Sequence, residues 1–393
     1  MLNPGEKAID LTLIDRSAQA PYLFLFLEIF AREGGIQSYV RDIFQALNLQ
    51  SQNADVFLLR DQPCQHPYAS DSLRFHYFKS RSPQWGRVQF TAALLTYLLK
   101  YRPTRVFCGH INLAPIVQIL CQPLGIPYTV MTHGKEVWQP LPPAAQQALQ
   151  QADQIWTVSR YTRDRSSLAH QLDPARIQLL PCAVDGAQFT PGGKSKILLD
   201  RYGLAGSQVL LTVARLWSGD IYKGVDVTLR ALPQILLAFP DVKYLVIGRG
   251  DDQPRLAQLA HDLGIADRVV FAGFVPTEEL VEHYRLADAY VMPSQEGFGI
   301  VYLEAMACGV PVIAGDADGS ADPLQDGELG WQVPHRDPDA TAQACLELLQ
   351  ASTQRDRGEP FDRRCDRSWL RQQAIDRFGK ASFQQRLQRL LAS

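Results

Sequence analysis

Glu296-Gly-Phe-Gly-Ile-Val-Tyr-Leu-Glu304 is the stretch that decides the fold. An apolar run, Ala289-Tyr-Val-Met-Pro-Ser294, precedes it, and Ala305-Met-Ala-Cys-Gly-Val-Pro311 carries it into a second run, Val312-Ile-Ala314. This order predicts strand, glycine-rich turn, helix and strand, the unit that sets a helix N-terminus beside a bound phosphate. Glu296 falls in the turn, and Glu304 falls about two turns into the expected helix at ~1.5 Å rise per residue. Two carboxylates at such a site would repel a phosphate unless they face hydroxyl groups on either side of it. As a bare spacing the pair means little; the glycine turn and the flanking strands give it weight.

The same rhythm extends in both directions. Apolar runs at 209–213, 244–247, 269–271, 290–292 and 312–314 alternate with helical patterns such as 225–239 and 255–263. Upstream, runs at 56–59, 105–108, 128–131, 155–158 and 177–180 repeat the alternation. The series starts at Pro21-Tyr-Leu-Phe-Leu-Phe-Leu-Glu-Ile-Phe30, a buried first strand. A glycine turn, Arg32-Glu-Gly-Gly-Ile-Gln-Ser38, follows, and then Ile36, Val40, Ile43, Phe44 and Leu47 at helical spacing. Pro181-Cys-Ala-Val-Asp185 and Pro191-Gly-Gly193 interrupt the rhythm, placing a linker near 186–195. The fold class is α/β, with two doubly wound Rossmann-like halves. The expected division is 1–188, 189–370 and a C-terminal helix over 371–393, within a tail read as helix from about 366. Residues 1–20 read as a tail or an added edge element.

A chain of 393 residues suits two domains. Hydrophobic content of 46% and charged content of 20% exclude a disordered chain. A net charge of −2 gives no electrostatic case for nucleic acid. Seven scattered cysteines with no Cys-x-x-Cys pair suggest neither a zinc site nor a disulfide framework. The longest apolar run is far short of the ~20 residues of a membrane span, and Glu28 interrupts it. It also lacks the basic flank and cleavage site of a signal peptide, so a cytoplasmic location is expected.

With its flanks, the Glu296–Glu304 segment resembles the Glu-x7-Glu signature of retaining glycosyltransferases, in particular the large GT-B family usually numbered 4. The resemblance covers nearly the whole chain. It implies two Rossmann-like domains facing a central cleft, with the last helix crossing back to the N-terminal domain. A C-terminal helix packed on its own domain is the other arrangement the residues allow.

Further residues fall at predicted strand ends. Val213-Ala-Arg215 closes one strand, and the loop Leu216-Trp-Ser-Gly-Asp-Ile-Tyr222 leads to Lys223-Gly-Val-Asp226 at a helix start. Arginine supplies a planar fork of donors and lysine a mobile point charge, which together suit a diphosphate leaving group. The pair resembles the arginine and lysine that clamp the donor diphosphate in the family; taken alone they also read as two surface charges flanking a loop. No metal-binding acidic cluster accompanies them, so no metal and no cofactor are expected. Gly34-Gly35 fails the full dinucleotide fingerprint and argues against an NAD site. The family resemblance of Gly-Gly-Ile-Gln-Ser-Tyr implies close backbone approach to an anionic ligand at Gly35, with Gln37 on the acceptor side. Thr132-His133-Gly134-Lys135-Glu136 resembles the family's His-Gly motif, whose histidine lies near the transferred sugar; read alone, a strand-end histidine is a structural hydrogen-bonder. Phe271-Ala-Gly-Phe-Val275, with Phe274 and Val275 at its end, stands where the family holds the nucleotide base. Asp316-Ala-Asp-Gly-Ser320 stands where many relatives carry a Gly-Gly turn, which leaves its contribution open. His66, His110 and His261 show no metal-ligand spacing and read as structural or exposed.

The resemblance thus implies a nucleotide-sugar donor in the C-terminal domain. Glu304 would hold the ribose hydroxyls, Arg215 and Lys223 the diphosphate, and Glu296 the sugar, with the backbone of Gly297, Phe298, Gly299 and Ile300. His133, Gly35 and Gln37 would line the acceptor side. The reaction expected is metal-independent transfer, with retention, from a UDP- or GDP-linked sugar to a hydroxyl acceptor. The alternatives are a GT-B epimerase or phosphorylase relative, and a non-catalytic nucleotide-sugar-binding subunit. The acceptor (sugar, sugar phosphate, lipid or small metabolite) is not specified by the sequence. Residues 1–190 carry 17 Lys/Arg and 14 Asp/Glu, too slight an excess to argue a lipid surface. Arg74, Lys79, Arg81 and Arg87 read as a solvated loop, with peripheral membrane contact left open.

Overall fold

The computed structural model describes residues 22–31 and 34–392, so the segment read as a tail or added edge element lies outside the described residues. The N-terminal half runs β1 (Tyr22–Phe26), α1 (Gly35–Leu49), β2 (Ala54–Leu58), β3 (Leu73–Tyr77), α2 (Pro83–Tyr101), β4 (Val106–Cys108), α3 (Ala114–Cys121), β5 (Tyr128–Thr132), α4 (Pro143–Gln150), β6 (Gln154–Thr157), α5 (Arg160–His170) and β7 (Ile177–Leu179). Its strands form a parallel sheet in the order β3-β2-β1-β4-β5-β6-β7. β1 is apolar on both faces because both are covered. Leu23 and Leu25 join a core with α2, α3 and α4, while Phe24 and Phe26 join one with α1.

The turn after β1 is held from beneath. The buried Asp61 carboxylate accepts the backbone N–H groups of Ile29 (2.6 Å), Phe30 (3.0 Å) and Ala31 (2.7 Å). These bonds aim the chain toward the open N-terminus of α1.

β3 was not legible in the sequence, and Arg74 is not a loop residue. It lies on this edge strand with His76, and both reach the fully buried Asp55, Arg74 Nη2 at 2.9 Å and His76 Nε2 at 2.8 Å. Tyr97 Oη of α2 donates to the same carboxylate at 2.7 Å. Burial alone would raise the Asp55 pKa; these partners outweigh it and hold the group below the ordinary range. Arg87, also expected in a loop, lies on α2.

The C-terminal half runs α6 (Lys196–Tyr202), β8 (Gln208–Val213), α7 (Val225–Ala238), β9 (Val242–Ile247), α8 (Gln253–Asp262), β10 (Val269–Gly273), α9 (Leu280–Tyr284), β11 (Ala289–Met292), α10 (Ile300–Ala307), β12 (Val312–Gly315), β13 (Trp331–Val333) and α11 (Pro338–Asp356). The sheet is parallel, in the order β10-β9-β8-β11-β12-β13. β13 is the second strand the sequence hid, since Trp331-Gln-Val333 stands between Gly330 and Pro334 and presents no apolar run.

The tail, read as one helix, is two: α12 (Arg367–Phe378) and α13 (Lys380–Ala392). α12 packs on α10, and α13 crosses to α1 of the N-terminal half. The break falls at Gly379, beside the linker, where Val184 N–H donates to Phe378 O at 2.9 Å. Arg371 pins the same linker by donating to Gly186 O (2.8 Å) and Phe189 O (2.6 Å), and it also reaches Ala307 O of α10. One apolar core runs through both halves, from Phe24 and Phe44 to Leu303 and Phe378. This is the GT-B arrangement.

Asp61→Ala would leave three backbone donors unpaired in the β1–α1 turn. Urea unfolding should show a loss of ~2–4 kcal/mol, against less than ~1 kcal/mol for substitution of the exposed Asp71.

Candidate active site

Parallel strands send their C-terminal ends toward one edge of a sheet. Here the edges of the two sheets meet. Gly134, after β5, lies against Gly297, after β11: a Cβ on Gly134 would sit 2.9 Å from Gly297 Cα. A Cβ on Gly297 would collide with His133 O, and one on Gly319 with Gly297 O. Backbone therefore touches backbone across the cleft, at a distance only glycine permits.

On the C-terminal side, Lys223 Nζ forms an ion pair with Glu296 Oε1, both side chains mostly covered. Lys223 ends a 3-10 turn (Ser218–Lys223) and shares a small hollow with Arg215. Arg215 reaches Asp220 Oδ2 at 3.0 Å and lies 4.8 Å over the Trp217 ring. α10 begins at Ile300, so Glu304 lies little more than one turn inside it rather than two. Tyr284 Oη donates to Glu304 Oε2 at 2.6 Å. Burial pushes the Glu304 carboxyl up to about 7 against the pull of that bond. Phe298 is buried and turns its ring to Phe378 of α12, leaving its backbone toward the cleft. Beyond β10, Val275 is buried, while Phe274 is half exposed beneath the Arg249 guanidinium at 4.5 Å.

On the N-terminal side, His133 Nε2 bonds to Gly109 O at 3.1 Å, so a ligand contact falls to Nδ1. Gln37 Nε2 donates to Glu28 O at 3.2 Å, folded back on its own turn. A Cβ on Gly35 would meet nothing within 4 Å, so the protein's own packing does not require glycine there.

Sequence reasoning passed over three groups. Lys135, quoted with the His-Gly motif but given no role, crosses the cleft: its Nζ lies 2.9 Å from the Tyr222 ring centroid and feels the charges of Glu296 and Lys223. Burial lowers its pKa, the Glu296 field opposing. Asp318, whose loop had no settled use, accepts the Glu296 N–H at Oδ2 and the Ser320 N–H at Oδ1, fixing the turn that carries Glu296. Arg160 at the start of α5 donates to Asp322 (backbone N–H, 2.7 Å) and to both oxygens of Asp326 (2.8 and 3.0 Å), closing the rim of the cleft. Only tertiary placement reveals the last pair, whose partners stand 166 residues apart.

The family model described as "Glycosyl transferases group 1" matches residues 207–351, and "Glycosyl transferase 4-like domain" matches residues 34–183. A D-inositol 3-phosphate glycosyltransferase of Acidothermus cellulolyticus is 31% identical over 363 residues, covering 80% of this chain and 78% of that protein. The chain belongs to the group 1 glycosyl transferases. A GDP-mannose-dependent alpha-(1-6)-phosphatidylinositol monomannoside mannosyltransferase of Mycolicibacterium smegmatis is 39% identical over 231 residues, covering 56% of this chain. That match spans 59% of the relative's length. Among solved structures, a sucrose-phosphate synthase of Thermosynechococcus elongatus superposes with a TM-score of 0.75 at 23% identity, over 95% of this chain and 98% of that one. At that identity the likeness speaks for the fold, and this group 1 transferase chain has it.

A raised carboxyl pKa means that the folded protein holds the Glu304 proton more tightly than the unfolded chain does. That stabilisation is fully present below the unfolded pKa and fades as pH rises through about 7. Glu304→Gln keeps the shape without the titration. Its stability relative to the unsubstituted protein should therefore rise by ~1–3 kcal/mol between about pH 5 and about pH 8, read from urea unfolding at each pH.

Proposed function

We propose that the protein transfers a glycosyl group, with retention and without a metal ion, from a nucleotide diphosphate sugar to a hydroxyl acceptor. The observation that carries this reading is the meeting of Lys135 from one half with Lys223 and Glu296 from the other, next to Arg215 and the N-terminus of α10. Three cations at a helix mouth suit a leaving diphosphate. Arg215, Lys223 and Lys135 are the cations assigned to neutralise the departing diphosphate.

In the ligand-free site Lys223 and Glu296 compensate each other. An arriving diphosphate competes for Lys223, and sugar hydroxyls then satisfy Glu296. Glu304 takes the ribose hydroxyls. Phe274 and Val275 flank the base, and Gly297 to Ile300 present backbone to the sugar. His133 Nδ1, Gly35 and Gln37 face the acceptor. As the bond from the anomeric carbon to the phosphate oxygen breaks, positive charge grows on the sugar and negative charge on the diphosphate. Fixed cations and the α10 dipole stabilise the latter. The acceptor oxygen bonds to the anomeric carbon on the same face, and its proton passes to the departing phosphate oxygen. Glu296, held by sugar hydroxyls once the diphosphate has drawn Lys223 away, serves binding and field, not covalent attack.

The names of the relatives choose the first substrates. GDP-mannose is the first donor to test, with UDP-glucose as control; inositol phosphates and phosphatidylinositol mannosides are the first acceptors. A nucleotide at ~100 times its dissociation constant should add ~2.7 kcal/mol of stability, visible as a raised melting temperature. Glu296→Gln should lower kcat by ~10²-fold or more while donor binding changes only a few-fold, and Lys223→Met and Lys135→Met should each lower kcat/KM by ~10–10³-fold. Turnover of the preferred donor should survive EDTA unchanged. If no nucleotide diphosphate raised the melting temperature, and Glu296→Gln turned over normally, the assignment would fall.

A further inference from the structure

α2 has two apolar faces. Phe90, Leu94, Tyr97 and Leu98 are buried against the sheet. Trp85, Val88, Leu95 and Leu99 lie on the opposite side, 52%, 54%, 41% and 55% exposed, at spacings of three, seven and four that keep them on one stripe. Ala92 fills the gap in the stripe, also exposed. Ile119 on the neighbouring helix α3 is also exposed, at 63%. A helix covered on one face has no folding reason to carry a second apolar stripe in water.

The stretch of chain that carries the stripe has charges of one sign. From Ser72 to Lys135 the chain contains no Asp or Glu, although Asp and Glu together number 41 in the whole sequence. Over the same stretch Lys79, Arg81, Arg87, Lys100 and Arg102 are exposed at or around the two ends of α2. An acid-free, basic-rimmed apolar stripe complements an anionic, apolar partner. Two copies of α2 placed face to face would bring these cations together with no acid of their own stretch to offset them, which disfavours self-association. The whole-half charge balance hides this, because the acids of the N-terminal half lie elsewhere in its sequence.

We propose that α2 is a docking helix for an anionic lipid bilayer, lying in the plane of the surface with Trp85, Val88, Leu95 and Leu99 in the acyl boundary and the flanking cations among the headgroups. No described helix is long and apolar enough to cross a membrane, so the attachment is to one surface. The proposal rests on this face alone and does not depend on the chemistry of the cleft.

Flotation of the full chain with vesicles tests it. Vesicles of phosphatidylglycerol and phosphatidylcholine should bind the protein at least ~10-fold more tightly than phosphatidylcholine alone, and high salt should weaken the binding. Trp85→Ser with Leu95→Ser and Leu99→Ser should lose ~10-fold or more of that affinity with an unchanged melting temperature, since all three are exposed. Should the triple variant fold poorly, Arg81→Gln with Arg87→Gln and Lys100→Gln reads the charge contribution by itself and should remove the preference for the anionic vesicle. Equal binding by these variants, or no binding to the anionic vesicle at low salt, overturns the proposal. A concentration-dependent dimer lost in the triple variant, without vesicle binding, overturns it in favour of a second copy of the chain.

Discussion

The close approach of Gly134 to Gly297 is the constraint on which the site depends. No side chain separates the two halves at that point, so the distance across the cleft is set by backbone alone. Lys135, one residue beyond Gly134, is thereby carried over the Tyr222 ring and into the field of Glu296. Gly319 repeats the device within the C-terminal half, packing against Gly297 O so that Asp318 can hold the Glu296 N–H. A methyl group at any of these positions would move a charged group away from the place where its charge is useful.

Burial and charge then act on one another. Lys223 and Glu296 form a largely covered pair whose worth to stability is small, since desolvation offsets attraction. The value of such a pair lies in exchange, because each partner is already desolvated and oriented when a ligand offers a better one. Glu304 differs. Its carboxylate accepts from the Tyr284 hydroxyl, and burial pushes its pKa up to about 7. One of the two glutamates is paired with a lysine, and the other is kept near its titration point by burial.

Much of this was written in the sequence, and what was hidden has physical reasons. The ten apolar runs outside the first strand fall on strands because a parallel sheet covered on both faces needs continuous apolar sequence. β3 escaped because Arg74 and His76 interrupt its apolar residues Leu73, Phe75 and Tyr77, and these two are satisfied by Asp55 on a neighbouring strand. β13 escaped because Trp331-Gln-Val333, between Gly330 and Pro334, presents no apolar run. The break at Gly379 is invisible in an apolar pattern that runs through both tail helices. That Arg215, Lys223 and Glu296 fall between strand ends and helix starts was legible from strand–turn–helix order. Lys135 and Arg160 carried no local signal; each is defined by what the opposite half presents to it.

The two halves are joined unequally, and this bears on how the cleft works. On the linker side the contacts are dense and covered. Phe378, Phe383 and Leu387 continue the core from α12 into α13, Arg371 holds three carbonyls, and Lys380 bridges Asp185 of the linker (2.8 Å) and Asp42 of α1 (3.8 Å). On the opposite rim the principal link is Arg160 with Asp322 and Asp326, and Asp326 stands in solvent. Exposed ion pairs are worth ~0–1 kcal/mol each, whereas a continuous apolar core is worth several times that. Separation of the halves therefore costs least at Arg160 and at the bare glycine contact, and most at Gly379 and the linker. The cleft is thus tied more firmly along its linker edge than along the Arg160 rim, and Lys135 stands at the weakly held side.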